Sequence, residues 1–210
     1  MTRRPTLGVE RALLRRDVDV VAGVDEVGRG ALAGPVSVGV VAVTHGIRPA
    51  PLGLFDSKAL SDRARRSLAP RIRSWASATA VGHAQPDEID RLGIMGALRL
   101  AFDRALSELT LVPEVIVLDG SVDYTDQSIP VVLRVKGDVH CSTVAAASVI
   151  AKVARDDVMD GLALAHPAYA WHRNKGYGTP VHVAALEALG VSPHHRRSWR
   201  LPSTGATPKV

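Results

Sequence analysis

The chain has 210 residues, 46% hydrophobic, 22% charged and 4% aromatic, which gives room for one substantial core and excludes a disordered polymer. Lys and Arg number 26 against 21 Asp and Glu, a formal charge of +5 that suits a polyanionic partner without requiring one. A single cysteine, Cys141, excludes an internal disulfide and a cysteine-based zinc site.

Met1 to Arg16 carries Arg3, Arg4, Arg11, Arg15 and Arg16 without a signal-peptide core, and no run reaches the roughly 18 apolar residues that span a bilayer. A cytoplasmic protein without membrane contact is expected. Residues 6 to 17 read as a short amphipathic helix leading into "VDVVAGVD", an apolar run of the kind covered on both faces. After a glycine-rich turn, "PVSVGVVAVTH" (35 to 45) reads as a second strand, close enough to form an antiparallel hairpin. A helix over 61 to 76, interrupted by Pro70, precedes the strand "SATAVGHA". Pro86 opens the next helix, with Leu92, Leu98, Phe102, Leu106 and Leu109 at helical spacing; it stops before Pro113 and hands over to "EVIVLDG". A further strand, "PVVLRVKGD", is followed by the Ala-rich helix "STVAAASVIAKVARDDVMDGLALA", for which Ser142 or Thr143 is the expected cap.

Strands first, then alternating helices and strands, predict an α/β fold, a mixed central sheet flanked by helices on both faces. Residues 1–165 form the expected main domain, 166–202 a small C-terminal helical and basic appendage packed on it, and 203–210 a flexible tail. There are no internal repeats.

The chemistry is concentrated in acids at strand ends. Asp25 and Glu26 terminate the first apolar run and Asp119 terminates "VIVL". Each is individually compatible with a turn, a cap or a salt bridge, but two strands can deliver acid to one edge of the sheet. On the Ala-rich helix, Ser148, Lys152 and Asp156 share a face, and Lys before Asp is the less favourable order for surface pairing. Convergence of Asp25, Glu26, Asp119 and Asp156 would require protonation or cations to relieve repulsion. Oxygen donors favour Mg²⁺ or Mn²⁺, and shared carboxylates can hold two ions roughly 4 Å apart for in-line phosphoryl displacement. One tension remains: neighbouring strand residues point to opposite faces, so Asp25 and Glu26 reach one site only if the strand bends or ends after Asp25, or if one of them has another role.

In family order, "GVDEVGRGALAGPV", "FDSKALS", "VLDG", "AAASVIAKVARD", "NKGYGT" and "HRRSW" resemble the type 2 ribonucleases H, specifically the bacterial ribonuclease HII family, over about residues 20 to 202. The resemblance implies an RNase H-like fold and a metal-dependent endonuclease of RNA in RNA/DNA hybrids. It also implies incision 5′ of single ribonucleotides in duplex DNA, leaving 5′-phosphate and 3′-hydroxyl. It maps the family carboxylates onto Asp25, Glu26, Asp119 and Asp156, leaving Asp157 without a metal. It places ribonucleotide contacts at Gly28, Arg29 and Gly30 and at Tyr177. Lys58, Lys152, Arg196 and Arg197, with His194, His195 and Arg200, are expected to supply positive charge along a duplex backbone, as are His172, Arg173 and Lys175. Trp199 stands in an aromatic position of the family and is expected to pack on the core. The implied partners are RNA/DNA hybrid and ribonucleotide-containing DNA, and a monomer is expected. A non-catalytic nucleic-acid-binding protein and a junction resolvase on the same fold are the alternatives.

Overall fold

The computed structural model describes residues 4–201; the tail expected at 203–210 lies outside them. Helix α1 (Gly8–Leu14) leads into β1 (Val20–Val27), which turns through the glycine-rich loop into β2 (Val36–Thr44). A 3-10 turn (Ser57–Ala59), α2 (Asp62–Trp75), β3 (Ala78–Ala84), α3 (Pro86–Glu108), β4 (Val115–Asp119) and β5 (Val131–Arg134) follow. The short α4 (Gly137–His140), the long α5 (Ser142–Ala165), α6 (Trp171–Asn174) and α7 (Pro180–Leu189) complete the order.

The sheet runs β3-β2-β1-β4-β5. The β1–β2 and β2–β3 pairs are antiparallel, whereas β1–β4 and β4–β5 are parallel. The expected hairpin and mixed sheet are both present, with helices on both faces. Alternation along β1 explains the layering. Ala22 and Val24 join Val38, Leu118 and Phe102 in a core under α3, while Val21 joins Val41, Val117 and Ile150 under α5. Helix α5 lies so close to the sheet that a Cβ on Gly39 would stand 2.5 Å from the Ala147 carbonyl oxygen. A third cluster, Ala33, Met159, Tyr169, Trp171 and Leu186, joins the C-terminal segment to α5 and to the loop after β1.

Local departures have local causes. Helix α2 continues through Pro70 because both Pro70 and Arg66, whose carbonyl loses a donor, are on the exposed side where water can replace the bond. Helix α3 is broken at Gly93, φ +68°, so Leu92 falls outside the apolar stripe and is exposed. The α5 cap is supplied by neither Ser142 nor its own Cys141 cap residue. Buried Glu10 of α1 accepts from the Thr143 amide at 2.8 Å and from its hydroxyl at 2.9 Å, placing negative charge at the positive end of α5.

Candidate active site

Two carboxylates are placed by strand register. The parallel ladder between β1 and β4 pairs Val24 with Leu118, so the next residues, Asp25 and Asp119, emerge side by side. By alternation both project on the α5 face, as Val21 and Val117 do. A third acid arrives from α4. Asp119 Oδ1 accepts the Gly137 amide at 2.7 Å, which draws the start of α4 to the sheet edge. Ligand oxygens of Asp25, Asp119 and Asp138 then lie within 4.8 Å of one another.

The electrostatics are those of crowded acids. Burial raises the Asp25 carboxyl well above the usual carboxylate range, and Asp119, Glu26 and Asp138 push it the same way while a hydrogen bond from Ser148 opposes them. Asp138 is raised to about 6, first by burial and then by Asp56 and Asp119, against the ammonium of Lys58. That ammonium stands 3.7 Å from Asp138 and is largely exposed. Three crowded carboxylate donors fit a hard divalent cation, which would relieve their repulsion.

Glu26 sits elsewhere. The strand neither bends nor ends after Asp25: β1 continues to Val27, with Asp25 opposite Gly39 and Glu26 opposite Val38. Glu26 therefore projects on the α3 face, where it accepts from Tyr124 at 3.4 Å and meets Arg29 at 3.5 Å. Burial raises its carboxyl, Arg29 opposes and Asp119 adds to the rise, so it borders the acidic trio without belonging to it.

The loop after β1 has an ordered polarity. The Gly28 and Arg29 carbonyls accept from Arg196 at 2.7 and 3.0 Å. In a trans peptide the N–H points opposite the C=O, so the Arg29 and Gly30 amides face outward, and among the described residues neither has an acceptor. Gly28 has φ +84°, and a Cβ there would lie 2.1 Å from Arg155 Nε; only glycine fits. Tyr177 lies half-buried with its ring 5.5 Å from the Arg155 guanidinium.

The model of the family described as "Ribonuclease HII" matches residues 22–201. The chain belongs to the ribonuclease HII family. It is thus a ribonuclease H, a metal-dependent endonuclease acting on RNA in RNA/DNA hybrids and on single ribonucleotides. Relatives named ribonuclease HII from Streptomyces coelicolor and Streptomyces griseus are 49% and 52% identical to it, each over 93% of this chain and 83% and 84% of their own. The ribonuclease H2 structure from Pyrococcus horikoshii superposes with a TM-score of 0.73 at 28% identity, covering 87% of this chain and 95% of that one. A ribonuclease HIII crystallised with Mn²⁺ gives 0.61 at 25% identity, covering 85% of this chain and 66% of its own.

The structure holds Asp156 apart from the acidic trio. It is 1% exposed, but its carboxylate is held by Lys152 at 2.6 Å and faces Arg65 at 3.8 Å. Among the described residues it joins no acidic cluster; its charge is already matched by α5 and α2. Lys152 is correspondingly paired within α5, and burial lowers its pKa against that pairing. Asp157 pairs with Arg66 on the surface. In the sequence "VKGD" reads as the end of a strand, which hides Asp138, whereas β5 stops at Arg134 and the acid opens a helical turn. The available signal was a Gly-Asp pair after an apolar run, repeating the pattern of acids at strand ends.

Of the basic residues, Arg196 is fully buried and donates only to main-chain carbonyls, which removes it from direct phosphate contact. Lys175 pairs with Asp160. His195 is buried and neutral, its pKa pushed down to about 4 first by burial and then by His182. Arg197, Arg200, His172 and Arg173 are exposed and keep the expected role open to them. Trp199 stacks on the Arg196 guanidinium at 5.1 Å. No helix among the described residues is long and apolar enough to cross a membrane.

Proposed function

We propose that Asp25, Asp119 and Asp138 hold the divalent ions of this ribonuclease HII, with Glu26 completing the shell from the opposite face of β1. The approach of Asp25, Asp119 and Asp138 oxygens to within 4.8 Å carries this reading. Mg²⁺ or Mn²⁺ fits the all-oxygen donor set. Bound there, the ions would activate a water and stabilise charge on the scissile phosphate. The chain's own groups do the selecting. Outward amides of Arg29 and Gly30 offer donors to a ribose 2′-hydroxyl, the group that separates RNA from DNA at the sugar. Tyr177 packs beside the junction nucleotide. Lys58, exposed at the rim of the acids, and Arg197 place positive charge for the backbone.

Hydrolysis on the 5′ side of the ribonucleotide breaks the P–O3′ bond. The phosphate stays on the ribonucleotide and a 3′-hydroxyl is left on its deoxynucleotide neighbour. The chain acts as a monomer in the cytoplasm on hybrid and ribonucleotide-containing duplex. The test is metal-dependent cleavage of a DNA duplex carrying one ribonucleotide, run beside all-DNA and branched duplexes. A single cut 5′ of the ribonucleotide is expected, and cleavage of the branched DNA alone would overturn the reading.

A further inference from the structure

Two guanidiniums lie at the heart of the recognition loop without touching the solvent or any carboxylate. Arg155 of α5 and Arg196 are both fully buried, and among the described residues neither forms an ion pair with an acid. Desolvating a guanidinium is costly unless its donors are met. Here they are met by the chain itself. Arg196 Nε reaches Gly34 O at 3.1 Å, Nη1 reaches Arg29 O at 3.0 Å, and Nη2 reaches Gly28 O at 2.7 Å and Pro35 O at 3.1 Å. Arg155 Nε shares Pro35 O at 2.8 Å, while Nη2 takes Ala33 O at 3.1 Å and Nη1 takes Lys175 O at 2.9 Å from the Tyr177 loop.

This pattern has a direction. Every contact pulls a carbonyl inward, and each trans peptide so turned aims its N–H the other way. The Gly28–Arg29 and Arg29–Gly30 peptides, both held by Arg196, consequently present two unpartnered amides on the outer surface. Lysine cannot substitute, because a point ammonium lacks the planar fork that meets several carbonyls at fixed angles. Neutral residues could fill the volume, but they would leave these carbonyls unmet and free to flip outward.

We propose that Arg196 is a positioning residue for ribose recognition: it touches no substrate but fixes the peptide planes of Gly28 to Gly30 so that their amides select a 2′-hydroxyl. Arg155 fixes the adjoining Ala33–Pro35 and Lys175 carbonyls in the same manner and stacks beneath Tyr177, so the two arginines hold both halves of the selector in register. The inference rests on the reading of Gly28 to Gly30 as the ribose contact.

The test compares wild type, R196M, R196K and the exposed neighbour variant R197M. Dissociation constants are measured without divalent ions, so that nothing is cut, for two duplexes differing by a single 2′-hydroxyl; thermal unfolding is followed in parallel. Wild type should favour the ribonucleotide duplex. R196K should lose about tenfold or more of that preference, with all-DNA affinity held within about twofold. R197M should weaken both duplexes alike, as a phosphate contact does. R196M should behave as R196K does wherever it remains folded, and R196K decides the matter if R196M does not fold. An unchanged preference in R196K, or an equal loss on both duplexes, would overturn the proposal. Absence of any preference in wild type would instead remove the reading of Gly28 to Gly30 on which it stands.

Discussion

The Gly137 amide donates to Asp119 Oδ1 at 2.7 Å, and through that one bond the end of β4 recruits Asp138 to the acid pair of β1 and β4. The Asp138→Asn variant should therefore lose at least about a hundredfold in turnover, more than supporting residues of a metal site usually cost, while remaining folded. Steady-state cleavage of a ribonucleotide-containing duplex, with circular dichroism as the folding control, checks this.

Asp156→Asn should give the opposite result. Removing its carboxylate strands half-buried Lys152 and Arg65, and breaking a buried pair costs about 3 kcal/mol or more. Turnover of the folded fraction should stay within about tenfold of wild type, because the residue is outside the acidic trio. Urea unfolding combined with turnover separates the two effects; loss of activity without loss of stability would return Asp156 to the metal site.

The acids at this end of the sheet also fix a pH dependence. Asp25, Glu26 and Asp138 titrate above their unfolded values, so the folded metal-free protein binds more protons than the unfolded chain. Stability from these groups is fully present below pH about 4 and is lost as pH rises, for Asp138 through about 6. In a chelator, the melting temperature of wild type relative to Asp138→Asn should fall between pH 4 and 7. Added Mg²⁺ should restore it most at the upper end, where the ligands are ionised. A difference that rises with pH in the chelator would contradict the assignment.

Much of this was legible in the sequence, for reasons that separate cleanly. Apolar runs ending in Asp25 and Asp119 announced both the strands and the edge where acids meet, since burial and period are local properties. Glu26 was placed in doubt by the same period, and the unbroken course of β1 through Val27 decides that doubt in favour of the opposite face. The partner of Asp156 was half visible: Lys152 is four residues away on the same helix, but Arg65 comes from α2, and no spacing rule announces a contact across 91 positions. Arg196 misled for a similar reason. A run of basic residues reads as surface, yet Arg196 turns inward to carbonyls 161 to 168 positions earlier.

Gly28 and Gly30 separate backbone strain from substrate access. Gly28→Ala forces a Cβ into φ +84° and to 2.1 Å from Arg155 Nε, so it should cost about 2 kcal/mol or more of stability and disorder the loop. Around Gly30 a Cβ would meet nothing within 4 Å. Gly30→Ala should therefore melt within about 0.5 kcal/mol of wild type while raising KM several-fold, because its methyl would stand on the surface that the ribose approaches. Equal KM for Gly30→Ala and wild type would show that the substrate passes elsewhere.

Beneath Tyr177 lies a chain of imidazoles whose protons are fixed by their neighbours. The Tyr177 carbonyl can only accept, so His182 Nδ1 donates to it at 3.0 Å. The Ser192 amide can only donate, so His195 Nδ1 accepts it at 2.9 Å. Nε2 of His195 must then carry a hydrogen and give it to Nε2 of His182 at 3.1 Å, which also accepts from the Trp171 indole at 3.1 Å. A further proton has nowhere to go without opposing a donor. Burial lowers both histidines, His195 to about 4, whereas the unfolded chain protonates near 6.5. The unfolded state thus binds more protons between those values, and stability is lost as pH falls from 6.5 to 4, opposite in sign to the carboxylates. His195→Gln keeps a donor to His182 but cannot titrate. It should lose stability at pH 7 yet show a flatter decline than wild type over that window, read from urea unfolding at each pH with Mg²⁺ present throughout. A slope equal to that of wild type would mean the imidazole chain does not open on acidification.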